Sequence, residues 1–181
     1  MKIKTARPEE KKDSRPRWIN LTINGKRYEL EMGSGPDQVD ANYTLTHTLR
    51  ETLGLTGTKI SCDRGACGNC TVIMDGKAVS SCMILTVECA GKAITTIEGL
   101  KDEKTGALDP LQKSFIDHTA FQCGFCTPGM IMSAKATLME YPSPTEQDVK
   151  EGLSGVFCRC ISHYQAVEAV MDAATKERID P

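Results

Sequence analysis

Eight of the nine cysteines in this 181-residue sequence fall into two sets whose spacing suits metal ligation. In the first, Cys62-x4-Cys67-x2-Cys70 is followed by Cys82, which is the C-x4-C-x2-C…C spacing of plant-type [2Fe–2S] ligation. Gly65 and Gly68 lie between these cysteines, where glycine lets a loop fold tightly and aim backbone N–H groups at cluster sulfurs. The second set is Cys123-x2-Cys126 with Cys158-x-Cys160. Taken alone, four thiolates so spaced suit structural zinc as well as iron. Each pair stands just before an expected helix, so two helix N-termini would converge on one anionic centre and favour either metal. An oxidised four-thiolate [2Fe–2S] core is an anion of about −2, and the neighbouring iron–sulfur spacing favours iron here too.

The remaining cysteine, Cys89, sits on a strand-like segment from Leu85 to Cys89 and reads as apolar filler. His47, His118 and His163 show no ligand pairing, and no nucleophile stands with a base. The glycines of 62–70 interleave with cysteines and do not link a strand to a helix, so they are no phosphate loop. The chemistry left is electron transfer.

The elements that must hold these cysteines come in two runs. Ile19, Leu21 and Ile23 alternate up to the turn Asn24-Gly25, and Tyr28 and Leu30 return; counted outward from the turn, Leu21 faces Tyr28 and Ile19 faces Leu30. Leu45, Leu49 and Leu53 repeat at helical spacing before Gly54. Thr71–Met74, Asp75-Gly76 and Lys77–Val79 form a second hairpin. Its register sets Cys70 opposite Ser81 and so brings Cys82 beside Cys70. Ala93–Ile97 adds a strand, giving a ββαβββ-like order over 18–97.

Beyond Gly99 the signals turn helical: Leu108–His118, Pro128–Glu140, Thr145–Leu153 and His163–Thr175. Thr127 reads as N-cap before a first-turn proline, and Thr145-x-x-Asp148 and Ser162-x-x-Gln165 as capping boxes. Met130, Ala134 and Leu138 on one helix and Val167, Val170, Met171 and Ala174 on another would share a core, the methionines serving as packing. The expected organisation is a flexible arm over 1–17, a cluster-binding β domain over 18–98 and a helical domain over 106–178.

Composition narrows the function further. Lys and Arg number 22 against 24 Asp and Glu, a formal charge of −2, which speaks against nucleic acid or an anionic membrane as partner. Hydrophobic residues at 40% and charged residues at 25% are an ordinary globular balance. The arm carries seven basic and three acidic residues with no apolar stretch behind them, and a proline separates Arg15 from Arg17. No secretory or twin-arginine signal is expected, and the reading is a cytoplasmic protein whose cysteines are ligands.

The two cysteine motifs together resemble the small iron–sulfur subunit of the xanthine oxidase family of molybdenum hydroxylases, over residues 18–175. The resemblance lies in Gly57-Thr58-Lys59 leading into Cys62-Asp63-Arg64-Gly65-Ala66-Cys67-Gly68-Asn69-Cys70-Thr71-Val72, in Gln122-Cys123-Gly124-Phe125-Cys126-Thr127-Pro128-Gly129, and in Cys158-Arg159-Cys160. It implies an α+β protein: an N-terminal β-grasp [2Fe–2S] ferredoxin-like domain, then an all-α four-helix-bundle domain with a second [2Fe–2S] cluster.

By the same resemblance, Gln122 and Cys160 lie near a molybdopterin, with cytosine dinucleotide the expected form. That cofactor sits on a large partner subunit, and a medium partner subunit carries FAD, in a heterotrimer or a dimer of heterotrimers. Electrons would pass between molybdenum and flavin through both clusters. The reverse flow of a reductive dehydroxylase, a free-standing ferredoxin-like carrier, and a ferredoxin domain beside a zinc-stabilised bundle are the alternatives. Val156-Phe157 before Cys158, and Ile161-Ser162-His163-Tyr164 after Cys160, depart from the family pattern of Asn-Leu and Thr-Gly-Tyr.

Overall fold

The computed structural model describes residues 17–35, 38–161 and 163–177. The expected arm lies outside these residues apart from the backbone of Arg17, as do Ser162 of the second expected capping box and residues from 178 onward.

The first half is a five-stranded mixed sheet. Strand β1 (Arg17–Ile23) turns at Asn24-Gly25 into β2 (Lys26–Met32), and β3 (Thr71–Met74) turns at Asp75-Gly76 into β4 (Lys77–Ser80). The first residue of each turn has φ of 50° and the glycines have φ of 76° and 83°, the doubly left-handed backbone that two-residue hairpins need. Strand β5 (Ala93–Thr95) completes the order β2-β1-β5-β3-β4, running parallel to β1 and antiparallel to β3. Leu21 pairs with Tyr28 and Ile19 with Leu30. One face of the sheet buries Leu21, Ile23, Val72 and Ile94 against Val39, Leu45, Leu49 and Cys89.

Strand β3 breaks the alternation expected of a half-exposed hairpin. Thr71, Val72 and Ile73 are all buried, because Val72 enters the core just described while Ile73 meets Met132 and Ala136 of the helical half. A strand covered on both faces reads as a continuous apolar run.

The second half comprises α2 (Pro110–Asp117), α3 (Thr127–Glu140), α4 (Glu146–Leu153) and α5 (His163–Glu177). Leu111 and Phe115 of α2, Met130, Ala134 and Leu138 of α3, Val149 and Leu153 of α4, and Val167, Val170 and Ala174 of α5 form one core, with Met171 packed against it. Helix α4 carries the expected capping box: the Thr145 hydroxyl accepts from the Asp148 amide, and the Asp148 carboxylate accepts from the Thr145 amide. Helix α2 has another, built by the N-cap Asp109 just ahead of Pro110 and by Gln112 in the first turn. Between α2 and α5, the buried Ser114 hydroxyl lies 2.7 Å from the Ala169 carbonyl and 3.0 Å from the Asp172 carboxylate.

Four local expectations are corrected. The segment Leu85–Cys89 is no strand: Thr86–Cys89 is a 3-10 turn, in which Cys89 is fully buried and its thiol reaches the Leu85 carbonyl at 3.6 Å. The helix through Leu45, Leu49 and Leu53 is a single α turn, α1 (Leu45–His47), opening into a π turn over Thr48–Thr52. There the Leu53 amide bonds the Thr48 carbonyl at 3.0 Å, and the Thr48 hydroxyl is tied to that of Thr86 at 2.7 Å. Strand β5 stops at Thr95, and Ile97–Gly99 is a 3-10 turn. Thr127 is the first residue within α3 and Cys126 takes the cap position, which leaves the Thr127 hydroxyl buried without a partner.

Candidate metal centres

The first cysteine set is assembled by the long loop before β3 and by the open end of the β3–β4 hairpin. Asp63, Gly65 and Gly68 have φ of 52°, 71° and 67°. Left-handed residues interspersed with ordinary ones turn successive amides toward one concavity, which is how backbone N–H groups come to face an anion. The Ala66 amide donates to Cys62 Sγ and the Gly65 amide to Cys82 Sγ, both at 3.3 Å. Cys82 arrives as the register requires: Thr71 pairs with Ser80, and the Ser81 hydroxyl donates to the Cys70 carbonyl at 2.6 Å. The thiol of Cys62 then contacts that of Cys67, and the thiol of Cys82 that of Cys70.

The second set joins two interhelical loops. Cys123 and Cys126 lie between α2 and α3, and Cys158 and Cys160 between α4 and α5. Their thiols also meet in twos, Cys160 with Cys123 at an Sγ–Sγ distance of 3.4 Å and Cys126 with Cys158. Gln122, next to Cys123, is exposed. Phe125 and Phe157, which flank this set, are 45% and 65% exposed, and among the described residues nothing covers them.

The thiols differ in acidity by position. The Arg64 amide, then contact with the Cys67 thiol, lowers Cys62 to about 7. Cys123 is lowered in the same way, by the Phe125 amide and then by Cys160. Burial, with the Cys70 thiol second, pushes Cys82 up to about 11. Burial, with the Cys158 thiol second, takes Cys126 to about 12. Each set therefore contains a surface thiol whose acidity is raised by backbone amides and a buried thiol whose acidity is lowered by burial. Cys89 is likewise raised to about 11 by burial, but it lies in the sheet's core, apart from both sets.

The two sets are held against each other by backbone, a feature that sequence reading does not reveal. A Cβ on Gly129, in the first turn of α3, would fall 2.6 Å from the Gly68 carbonyl oxygen and 2.9 Å from Asn69 Cα. A Cβ on Gly68 would fall 2.3 Å from the Gly155 carbonyl oxygen. The Phe157 amide donates to the Cys67 carbonyl at 2.9 Å.

Residues 22–94 match the family model for the 2Fe-2S iron-sulfur cluster binding domain, and residues 96–171 that for the [2Fe-2S] binding domain. The chain is 47% identical to the nicotine 6-hydroxylase small subunit of Paenarthrobacter nicotinovorans, over 86% of this chain and 88% of that protein. It is 37% identical to the nicotinate dehydrogenase small FeS subunit of Eubacterium barkeri, over 87% and 95% of the two. The chain belongs to the small iron–sulfur subunits of the xanthine oxidase family.

A crystal structure of quinoline 2-oxidoreductase from Pseudomonas putida 86 superposes on it with a TM-score of 0.82 at 40% identity, covering 92% of this chain and 99% of that one. This small subunit thus has the family's α+β arrangement of a ferredoxin-like domain followed by a helical [2Fe–2S] domain. Its role is electron transfer within an oxidoreductase complex, and a free-standing carrier is not favoured. Among its described residues no helix is long and apolar enough to cross a membrane.

Proposed function

We propose that Cys62, Cys67, Cys70 and Cys82 ligate one [2Fe–2S] cluster and Cys123, Cys126, Cys158 and Cys160 a second, in a chain divided into units over 18–98 and 106–178. The observation that carries this reading is the meeting of the thiols two by two within each set. Two thiolates on one tetrahedral metal at bond lengths of about 2.3 Å stand roughly 3.8 Å apart, close to the 3.4 Å between Cys123 and Cys160. A cluster with two irons asks for two such couples. They are Cys62 with Cys67 and Cys70 with Cys82 in the first set, and Cys123 with Cys160 and Cys126 with Cys158 in the second.

Each [2Fe–2S] cluster, when bound, accepts and releases one electron. The residues around it tune that exchange: the Gly65 and Ala66 amides donate to thiolate sulfur and favour the more negative, reduced state. The partners in this reading are a large subunit holding molybdopterin, with cytosine dinucleotide the expected form, and a medium subunit holding FAD. The complex is a cytoplasmic heterotrimer or dimer of heterotrimers. The exposed Phe125 and Phe157 beside the second set offer an apolar surface for the molybdenum-bearing partner to cover. The reaction is oxidation of an aldehyde or N-heterocycle, and the relatives named above, for nicotine, nicotinate and quinoline, lie on the oxidising side.

Metal analysis of the purified chain tests the ligand sets. Two such clusters give about four irons and four labile sulfides per chain. About two irons with one zinc would instead leave the helical domain with a structural zinc site.

Gln122 and Cys160 are placed against the pterin by resemblance alone. Gln122→Leu removes an amide donor and acceptor without touching a ligand, so iron stays at the wild-type level. The transfer rate from reduced molybdenum to the second cluster, or retention of molybdopterin by the complex, falls. Normal transfer at full pterin occupancy would move the pterin contact elsewhere on the helical domain.

A further inference from the structure

Three of the four cysteines in the first set are buried, and Cys62 is not. Cys67 and Cys70 lead directly into β3, and Cys82 hangs from the open end of its hairpin, so the sheet places those three. Cys62 lies instead at the end of a loop that leaves the π turn over Thr48–Thr52 and passes through Thr56-Gly57-Thr58. That passage is gripped from both sides. Arg50, carried on the π turn, donates from one nitrogen, Nη1, to the Thr56 and Thr58 carbonyls, both at 2.8 Å. The Glu98 carboxylate accepts from the Gly57 amide at 2.8 Å. The Thr56 carbonyl and the Gly57 amide belong to one trans peptide and point opposite ways. We infer that Arg50 and Glu98 are positioning residues, a cation and an anion that clamp this peptide from its two sides and so fix Cys62 for the first cluster. The inference rests on the ligand sets proposed above.

Both sides of the clamp are anchored. Leu49, next to Arg50, is fully buried, and the Thr48 hydroxyl is tied to that of Thr86. The exposed Glu51 carboxylate stands 3.9 Å from Arg50 Nε, too far for a hydrogen bond, so the guanidinium is committed to the loop's backbone. Thr58 is buried, and a buried carbonyl deprived of its donor has little water to turn to. Thr56 is exposed and also accepts from Lys59 Nζ at 2.9 Å, so the loss of Arg50 would be felt at Thr58. Across the loop, the second oxygen of Glu98 accepts from the Thr96 hydroxyl at 2.6 Å. Thr96 in turn exchanges hydrogen bonds of 2.8 and 2.9 Å with the Asn24 side chain. Only glycine fits at residue 57, for a Cβ there would fall 2.7 Å from Glu98 Oε1 and closer still to Ile97, which packs against the helical core.

The experiment uses the full chain carrying both clusters, reduced with dithionite in the presence of a ferrous chelator. The colour of the chelate follows iron release, and EPR of samples frozen along the time course shows which cluster is being lost. The signal missing from Cys82→Ser identifies the first cluster. Arg50→Met removes every donor and keeps an apolar stem. Arg50→Lys restores a cation with three donors, which can replace two bonds that come from a single nitrogen. Glu98→Leu removes the acceptor and leaves Arg50 in place.

The clamp predicts that Arg50→Met and Glu98→Leu each lose the first cluster's signal severalfold faster than the wild type, while the second cluster's signal decays at the wild-type rate. Arg50→Lys restores the wild-type rate. A first signal already absent at purification, with the second intact and Arg50→Lys holding both, is the same result at its limit. Wild-type decay of the first signal in both Arg50→Met and Glu98→Leu would overturn the clamp while leaving the ligand sets intact. Equal acceleration of both signals would assign the two side chains to general stability and overturn it as well. If Arg50→Met does not fold, Glu98→Leu decides. An iron content of about two in the wild-type chain would overturn the ligand sets themselves.

Discussion

Cys82→Ser should empty the first centre of iron and, in the relay proposed above, disconnect the chain from its flavin side while the molybdenum side still accepts electrons from substrate. Cys82 is buried, its Sγ accepts from the Gly65 amide and it touches the Cys70 thiol. A serine hydroxyl can accept the same amide bond, so the hairpin end keeps its shape. It is nonetheless a poor ligand for iron in a thiolate site. Iron should fall from about four to about two per chain, and turnover with flavin-linked acceptors should drop to background. Cys89→Ala is the matched control, for it deletes a cysteine that is equally buried but lies within the sheet's core, and its iron content should equal that of the wild type. Full flavin-linked turnover in Cys82→Ser would take this cluster off the electron path.

Cys126→Ser should have the larger effect on stability. Cys126 stands at the N-cap of α3, where its side chain makes no capping bond. Serine is a preferred residue there, so helix formation as such is not harmed. What is lost is the metal link between the α2–α3 loop and the α4–α5 loop, which the contacts of Cys126 with Cys158 and of Cys123 with Cys160 make possible. Metal binding free energy is in part folding free energy. The thermal midpoint should therefore fall by more than the ~4–8 °C that 1 kcal/mol represents in a domain of this size. Iron should again fall to about two per chain. Calorimetry alongside metal analysis checks both, and a variant with the wild-type midpoint and four irons would remove Cys126 from the ligand set.

Much of this was legible in the sequence because it depends on local chemistry. The Asn24-Gly25 and Asp75-Gly76 turns fix hairpin register, so Leu21 opposite Tyr28, and Cys82 at the open end beside Cys70, follow from counting. Thr145-x-x-Asp148 marks a helix start by its own hydrogen bonds. Expectations failed where a tertiary partner decided the outcome. Thr127 looks like a cap, but the metal loop hands that position to Cys126. The apolar run ending at Cys89 looks like a strand, but the Thr86 hydroxyl is committed to the Tyr43 carbonyl and to Thr48, and the segment turns. Ile73 alternates to the face opposite Val72 and is buried there because α3 covers it. The approach of Gly68 to Gly129 and Gly155 was illegible for the same reason: nothing local links a loop at residue 68 to helices some sixty and ninety residues further on.

The relay requires that one chain hold two one-electron centres, and EPR of the reduced full-length protein in its complex tests this most directly. Stepwise reduction should develop two separable [2Fe–2S] signals that together integrate to about two spins per chain. A single signal of about one spin per chain, with zinc retained in the helical domain, would contradict the relay.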